Sequence, residues 1–298
     1  MLKNLKYFLP SFNQSLLIIF LLMAVGGLAM GALIAVIYGM AGVAIADANP
    51  LLMYVAQFIP PFIYLLYKAG ETVRMNGTLM EKGLFNRIVE PVPLNRFNHG
   101  KISPVVAVAS VAIATISLMF ILEPVNSLVP MPDSVKHLYE QMFSNMFWTT
   151  ASVVVAAPLA EEFLLRGVIL RGMLYHSTPL KAILWSSFYF AFIHMNLYQA
   201  LGAFLMGLFL GWIYYRTGAL WLTIFVHFIN NGTSMLFTVL NPQIDIETTL
   251  MDIIVESWSV EAYIALFSLM LALFAFIIYY LNKNLGYAEI KKNISPSI

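Results

Sequence analysis

The chain contains no cysteine, which excludes disulfides, thiolate metal ligands and a cysteine nucleophile. Its redox compartment is therefore not encoded. Charge is also scarce: 10% of the 298 residues are Asp, Glu, Lys or Arg, where a soluble domain carries about 25%. No His-Glu-x-x-His sequence occurs, which removes only the commonest zinc-protease motif. There is no repeat at a period of about 20–50 residues, no low-complexity tract, and no basic run of the kind that meets nucleic acid. What is present is apolar: 60% of residues are hydrophobic and the mean hydropathy is +0.81. That composition belongs to a polytopic membrane protein. The formal net charge of +1 says less than the distribution of the charges.

A helix needs about 20 apolar residues to cross a bilayer. Runs of this kind fall at roughly 15–44, 51–68, 104–123, 145–170, 181–198, 200–215, 218–240 and 260–281. They predict an all-α membrane bundle of about eight transmembrane helices. Lys3 and Lys6 ahead of the first run have the outline of a signal peptide. However, the run continues to Ala46, far beyond an h-region of about 7–15 residues, and reads as a retained helix. Gly26, Gly27 and Gly31 in it favour close contact with a neighbour, and Pro60-Pro61 predicts a kink in the second helix. With both termini in the cytoplasm, every Lys and Arg except Lys136 lies on or toward that side. The outer loops carry acids instead: Asp47, Glu123, Asp133, Glu140, Asp245, Glu247, Asp252, Glu256 and Glu261.

Residues 69–103 form the long cytoplasmic loop, in which Leu84–Val89 reads equally as a short surface helix or a solvated connector. An outer loop over 124–144 carries Pro124, Pro130 and Pro132. Residues 1–129 thus read as an N-terminal three-helix part, and 130–298 as a five-helix part with a core over 140–240.

Three apolar helices carry polar residues that are costly in a bilayer. A charged side chain at its centre costs about 2.5–3.5 kcal/mol on insertion scales, so such residues are commonly functional. Glu162 and Arg166 are spaced to share a helix face and pair. Glu161 is turned about 100° away and has no local partner, while Pro158 one turn earlier frees a carbonyl. The next helix carries Phe190 and His194, and the seventh carries His227 with Asn231 one turn on. Counted from Arg171, Lys181 and Arg216 at about 1.5 Å per residue, Glu161, His194 and His227 lie about 15, 20 and 16 Å deep. Groups at one depth on three helices point to a polar cavity. A carboxylate and a histidine there can deprotonate water, and a second histidine with an asparagine can donate to an oxyanion. The same Glu161, His194 and His227 could instead bind a divalent metal such as Zn²⁺.

In order and spacing, Glu161-Glu162-x-x-x-Arg166, Phe190-x-x-x-His194 and His227-x-x-x-Asn231 resemble the CPBP family of membrane proteins. That family includes type II CAAX prenyl endopeptidases, bacteriocin-processing and bacteriocin-immunity proteins, and the lysostaphin resistance protein A group. The likeness covers about residues 140–240. It implies an all-helical intramembrane protease opening toward cytosol and membrane, acting on a peptide or lipidated protein in a bacterial or archaeal cytoplasmic membrane. Residue by residue, it implies that Glu161 and His194 activate water, His227 and Asn231 bind the oxyanion, and Glu162 and Arg166 hold the helices. A glutamate mechanism without cofactor is favoured over zinc. Two other readings use the same residues: a non-catalytic regulator or immunity protein, and a proton-relaying transporter. The missing repeat and the single depth of the polar groups count against transport.

Overall fold

A computed structural model describes residues 2–44 and 48–290, so Asp47, Lys291 and Lys292 lie outside the described residues. Within those residues the chain is helical, with no strand. The long elements are α1 (Phe12–Met40), α2 (Pro50–Glu81), α3 (Pro104–Asn126), α4 (Asp133–Phe143), α5 (146–176), α6 (Pro179–Phe192), α7 (Leu197–Thr217), α8 (Leu220–Leu240), α9 (Leu250–Ser257) and α10 (Val260–Asn284). Among the described residues, six of these, α1, α2, α3, α7, α8 and α10, are long and apolar enough to cross a membrane. The protein is a multi-pass helical membrane bundle. The two further expected spans differ in kind. α5 carries the acids and arginines, and α6 has 14 residues. At about 1.5 Å per residue α6 is about 21 Å long, short of a hydrocarbon core of about 30 Å.

Several boundaries differ from the sequence expectation. α2 runs to Glu81, so the cytoplasmic loop begins there and not at residue 69. Hydropathy falls after Lys68, but Ala69, Glu71, Arg74 and Met75 are adequate helix formers and carry the helix out of the apolar layer. Leu84–Val89 holds only one short turn, Phe85–Arg87. The proline-containing outer loop folds as the amphipathic α4, whose first turn begins with Asp133, favourably placed for the helix dipole.

α2 is broken where prolines were read as a kink. Its first piece, Pro50–Ala56, is capped by Asn49, whose side chain accepts from the Leu51 and Leu52 N–H at 2.9 and 3.4 Å. Pro60 and Pro61 cannot donate to the carbonyls of Ala56 and Gln57, and the helix resumes only at Ile59. α1 fits against this break. A Cβ on Gly26 would come 3.0 Å from Pro60 Cβ, and one on Gly27 3.1 Å from Gln57 Cβ. A side chain at either position would push the neighbour back by a few tenths of an ångström, and glycine allows the close approach.

One hydrophobic core runs through the whole bundle, joining Leu65, Val111 and Leu118 to Leu164, Leu165, Leu210 and Leu222. The N-terminal segment, the 82–103 loop and the C-terminal tail meet at one end of the bundle. Val92 N donates to Lys6 O (2.9 Å), Lys101 N to Asn284 O (2.8 Å) and Ala288 N to Tyr215 O (2.8 Å). Two arginines fasten this end. Arg171 donates to the carbonyls of Leu5 (2.7 Å), Phe8 (2.9 Å) and Val92. Arg216 donates to the carbonyls of Asn282, Leu285 and Gly286, at 2.8, 2.7 and 3.0 Å. By sequence both mark the cytoplasmic edge; both are buried, Arg171 completely.

Candidate active site

α5 places Glu161 and Glu162 on a single α-helical turn flanked by two π-helical stretches, Ala151–Ala156 and Phe163–Leu170. Pro158 lies in that turn and removes the N–H that would bond the Val154 carbonyl. Such bulges in a helix commonly accompany functional sites, because they re-aim side chains that a regular helix would hold elsewhere.

The two carboxylates face different partners. Glu162 is fully buried, and its Oε1 accepts from Arg166 at 2.8 Å and contacts His227 Nδ1 at 3.1 Å. Arg166 also donates to the Gly207 carbonyl at 3.1 Å and lies over the Phe190 ring at 4.6 Å. The network therefore ties α5 to α6, α7 and α8. Taking two charges out of water is expensive, and such a pair holds only when both partners are present. Glu161 is 7% exposed. Its Oε1 accepts from the Tyr54 hydroxyl at 2.6 Å, while its Oε2, like that of Glu162, is buried with no partner among the described residues.

His194 does not sit within a helix as expected. It lies in the turn after α6, between the Ile193 cap and Met195, whose φ is +56°. Asn196 produces this ending: its side chain caps α7 by accepting from Gln199 N (2.9 Å), and its amide donates to the His194 carbonyl (2.8 Å). The His194 Nδ1 meets the Phe190 carbonyl at 2.7 Å. A carbonyl only accepts, so Nδ1 carries the hydrogen and Nε2 presents a lone pair.

Phe190 joins the two imidazoles. Its ring meets His194 edge-on at 5.2 Å and His227 at 5.4 Å, with interplanar angles of 89° and 90°. The histidine centroids thus lie no farther apart than those two distances combined. His227 is buried. With its Nδ1–H directed at Glu162, only the doubly protonated ring can donate Nε2–H to an oxyanion. Asn231 donates to the Val153 carbonyl at 2.8 Å and accepts from Asn230 at 3.0 Å, which leaves one amide hydrogen uncommitted.

Glu161, His194 and His227 do not form a ready metal site. Among the described residues no group of three His, Asp or Glu side chains is placed to hold a metal ion. The polar contacts of His227 and Glu161 go to Glu162 and Tyr54 respectively.

Beside the site, an apolar cleft of about 860 Å³ opens between the first half of α5 and the second half of α8, lined by Val154, Val155, Phe228, Gly232, Leu236 and Val239 among others. These are the helix halves remote from Arg171 and Arg216.

Two participants escaped the sequence reading. Tyr54 had no signal beyond a hydroxyl in an apolar run. The Gly207 carbonyl had none, since a backbone acceptor is invisible in a sequence. Residues 143–233 match the family model described as Type II CAAX prenyl endopeptidase Rce1-like. The match spans every polar group of the constellation from Glu161 to Asn231 and excludes Tyr54. No curated protein and no solved structure matches the chain.

Proposed function

We propose, from the type II CAAX prenyl endopeptidase Rce1-like domain at residues 143–233, that the protein is an intramembrane endopeptidase in which Glu161 activates water. The observation that carries this reading is the asymmetry of the acid pair. Glu162 Oε1 is held by the Arg166 cation and by His227, whereas Glu161 Oε1 meets only the neutral Tyr54 hydroxyl; each acid keeps a buried Oε2 without a partner among the described residues. A carboxylate tied to a buried cation serves as an ion-pair partner, and the carboxylate beside it, with no cation on it, stays available to take a proton.

In this mechanism Glu161 Oε2 takes a proton from water, with His194 Nε2 as the second acceptor orienting that water. The hydroxide attacks the scissile carbonyl carbon, and the oxyanion receives the uncommitted Asn231 amide hydrogen and Nε2–H of protonated His227. Collapse breaks the C–N bond, and the proton held by Glu161 passes to the leaving amine. The products are a carboxylate and an amine, and no covalent enzyme intermediate forms. The cleft between α5 and α8 suits a substrate presenting an apolar segment from the bilayer, so a membrane-associated or lipidated peptide or protein fits best. The setting that suits it is a bacterial or archaeal cytoplasmic membrane.

The experiment uses full-length protein in proteoliposomes with a mixture of quenched-fluorescent peptides bearing an apolar C-terminal anchor. The wild type cleaves members of the mixture, and Glu161→Gln does not. Chelation leaves the rate unchanged, whereas loss of activity restored by Zn²⁺ would replace the glutamate mechanism with a metal one. Equal activity of wild type and Glu161→Gln would leave a binding or immunity function in its place.

A further inference from the structure

The base of the proposed mechanism receives its one hydrogen bond from outside the family-matched segment. Tyr54 belongs to the first piece of α2, 107 residues before Glu161 in the chain, and its hydroxyl lies 2.6 Å from Glu161 Oε1. We propose that Tyr54 is a positioning residue for Glu161, an assignment that rests on the endopeptidase reading above. The hydroxyl holds Oε1 and thereby fixes the rotation of the carboxylate plane, which directs Oε2 at the water. A hydrogen bond from O–H to an ionised carboxylate is about twice as strong as a neutral one, and terminal carboxylate torsions are otherwise broad and soft.

Three features aim Tyr54. The Asn49 cap starts the helix four to five residues ahead of it. The seven-residue piece, set off by the interruption at Gln57 and Phe58, packs against the π-helical stretch of α5. The ring is then braced by Phe58, at 5.3 Å and 50°. Packing alone does not account for the arrangement: an apolar ring would satisfy the contact with Phe58 and would leave Glu161 with both oxygens unpartnered in a buried site, which is costly.

The test is Tyr54→Phe in the full-length protein, assayed on the same anchored peptides, beside Glu161→Gln. The expected result is a kcat per folded molecule 10- to 100-fold lower and a KM within twofold of wild type, with a thermal transition lowered only by the lost hydrogen bond. A residue with only a packing role would lower the transition and leave kcat per folded molecule unchanged. Should Tyr54→Phe fail to fold, 3-fluorotyrosine and 3,5-difluorotyrosine at position 54 keep ring and hydroxyl while grading its acidity. A kcat graded with acidity supports the assignment, and a flat response overturns it. If Glu161→Gln is inactive while Tyr54→Phe keeps kcat within twofold, the positioning role falls and the endopeptidase reading stands. If Glu161→Gln still cleaves, both fall.

Discussion

Arg166 and Arg171 lie on one helix, are both completely buried, and do opposite work. Arg166 pairs with a carboxylate, and through Glu162 it reaches His227. Arg171 meets no carboxylate among the described residues; its terminal nitrogens donate to carbonyls of Leu5, Phe8 and Val92, from two segments far away in sequence. At mid-bundle, buried charge sets the geometry of side chains around Glu161. At the end of the bundle, it gathers loose backbone that would otherwise need water. The difference lies in the acceptors. The carboxylate partner draws in an imidazole from another helix, whereas the carbonyls join Arg171 only to backbone.

That contrast can be broken at four points of decreasing effect. Glu161→Gln removes the proposed base, and the cleavage rate falls about 10²- to 10⁴-fold, the usual worth of a positioned general base, while the thermal transition in detergent stays in place. Next, Arg166→Met strands Glu162 in a dry environment. Removing one partner of a buried pair costs about 3–5 kcal/mol, so the transition temperature or yield of folded protein drops. The double variant Arg166→Met/Glu162→Gln recovers part of that loss. A double variant no better than the single one would show that the pair is not what stabilises this level.

Arg171→Met sharpens the comparison from the other side. It removes the arginine donors from three carbonyls, of which Leu5 O keeps the Phe8 N–H; a buried carbonyl left without a donor costs about 1–3 kcal/mol. Limited proteolysis then cuts within residues 2–9 and 88–92 faster than in the wild type, while kcat per folded molecule remains within about twofold, a change smaller than any general-base effect. The smallest effect belongs to Glu289→Ala. Its partner Arg96 and Glu289 itself are largely exposed, and exposed pairs contribute about 0–1 kcal/mol. The transition should not move measurably in moderate salt.

Much of this architecture was legible in advance because dehydration of the backbone leaves few alternatives in a membrane. Uninterrupted apolar runs become helices there, and α1, α3, α7, α8 and α10 follow their runs to within a few residues. Glu162 with Arg166 was legible for a similarly local reason, since residues four apart on a helix are neighbours. The position of His194 was not. Hydropathy carries the fifth segment on to residue 198, and the stop at Phe192 comes from Asn196 capping the following helix. Arg171 and Arg216 looked like edge charges because sequence shows a donor but not which distant carbonyl will consume it. Tyr54 was illegible for the same reason, its acceptor being chosen by tertiary packing of a seven-residue helix.

The interruption in α2 also bears on what can be cut away or exchanged. Residues 143–233 carry the family likeness, but a fragment trimmed to that likeness would expose the apolar flank of α5 on which Pro50–Ala56 rests and strip Glu161 of its one donor. Grafting this segment onto a foreign membrane anchor would need a short capped helix, a proline stop and a hydroxyl at the matching step. The unit that can be transplanted is therefore larger than the unit that can be recognised.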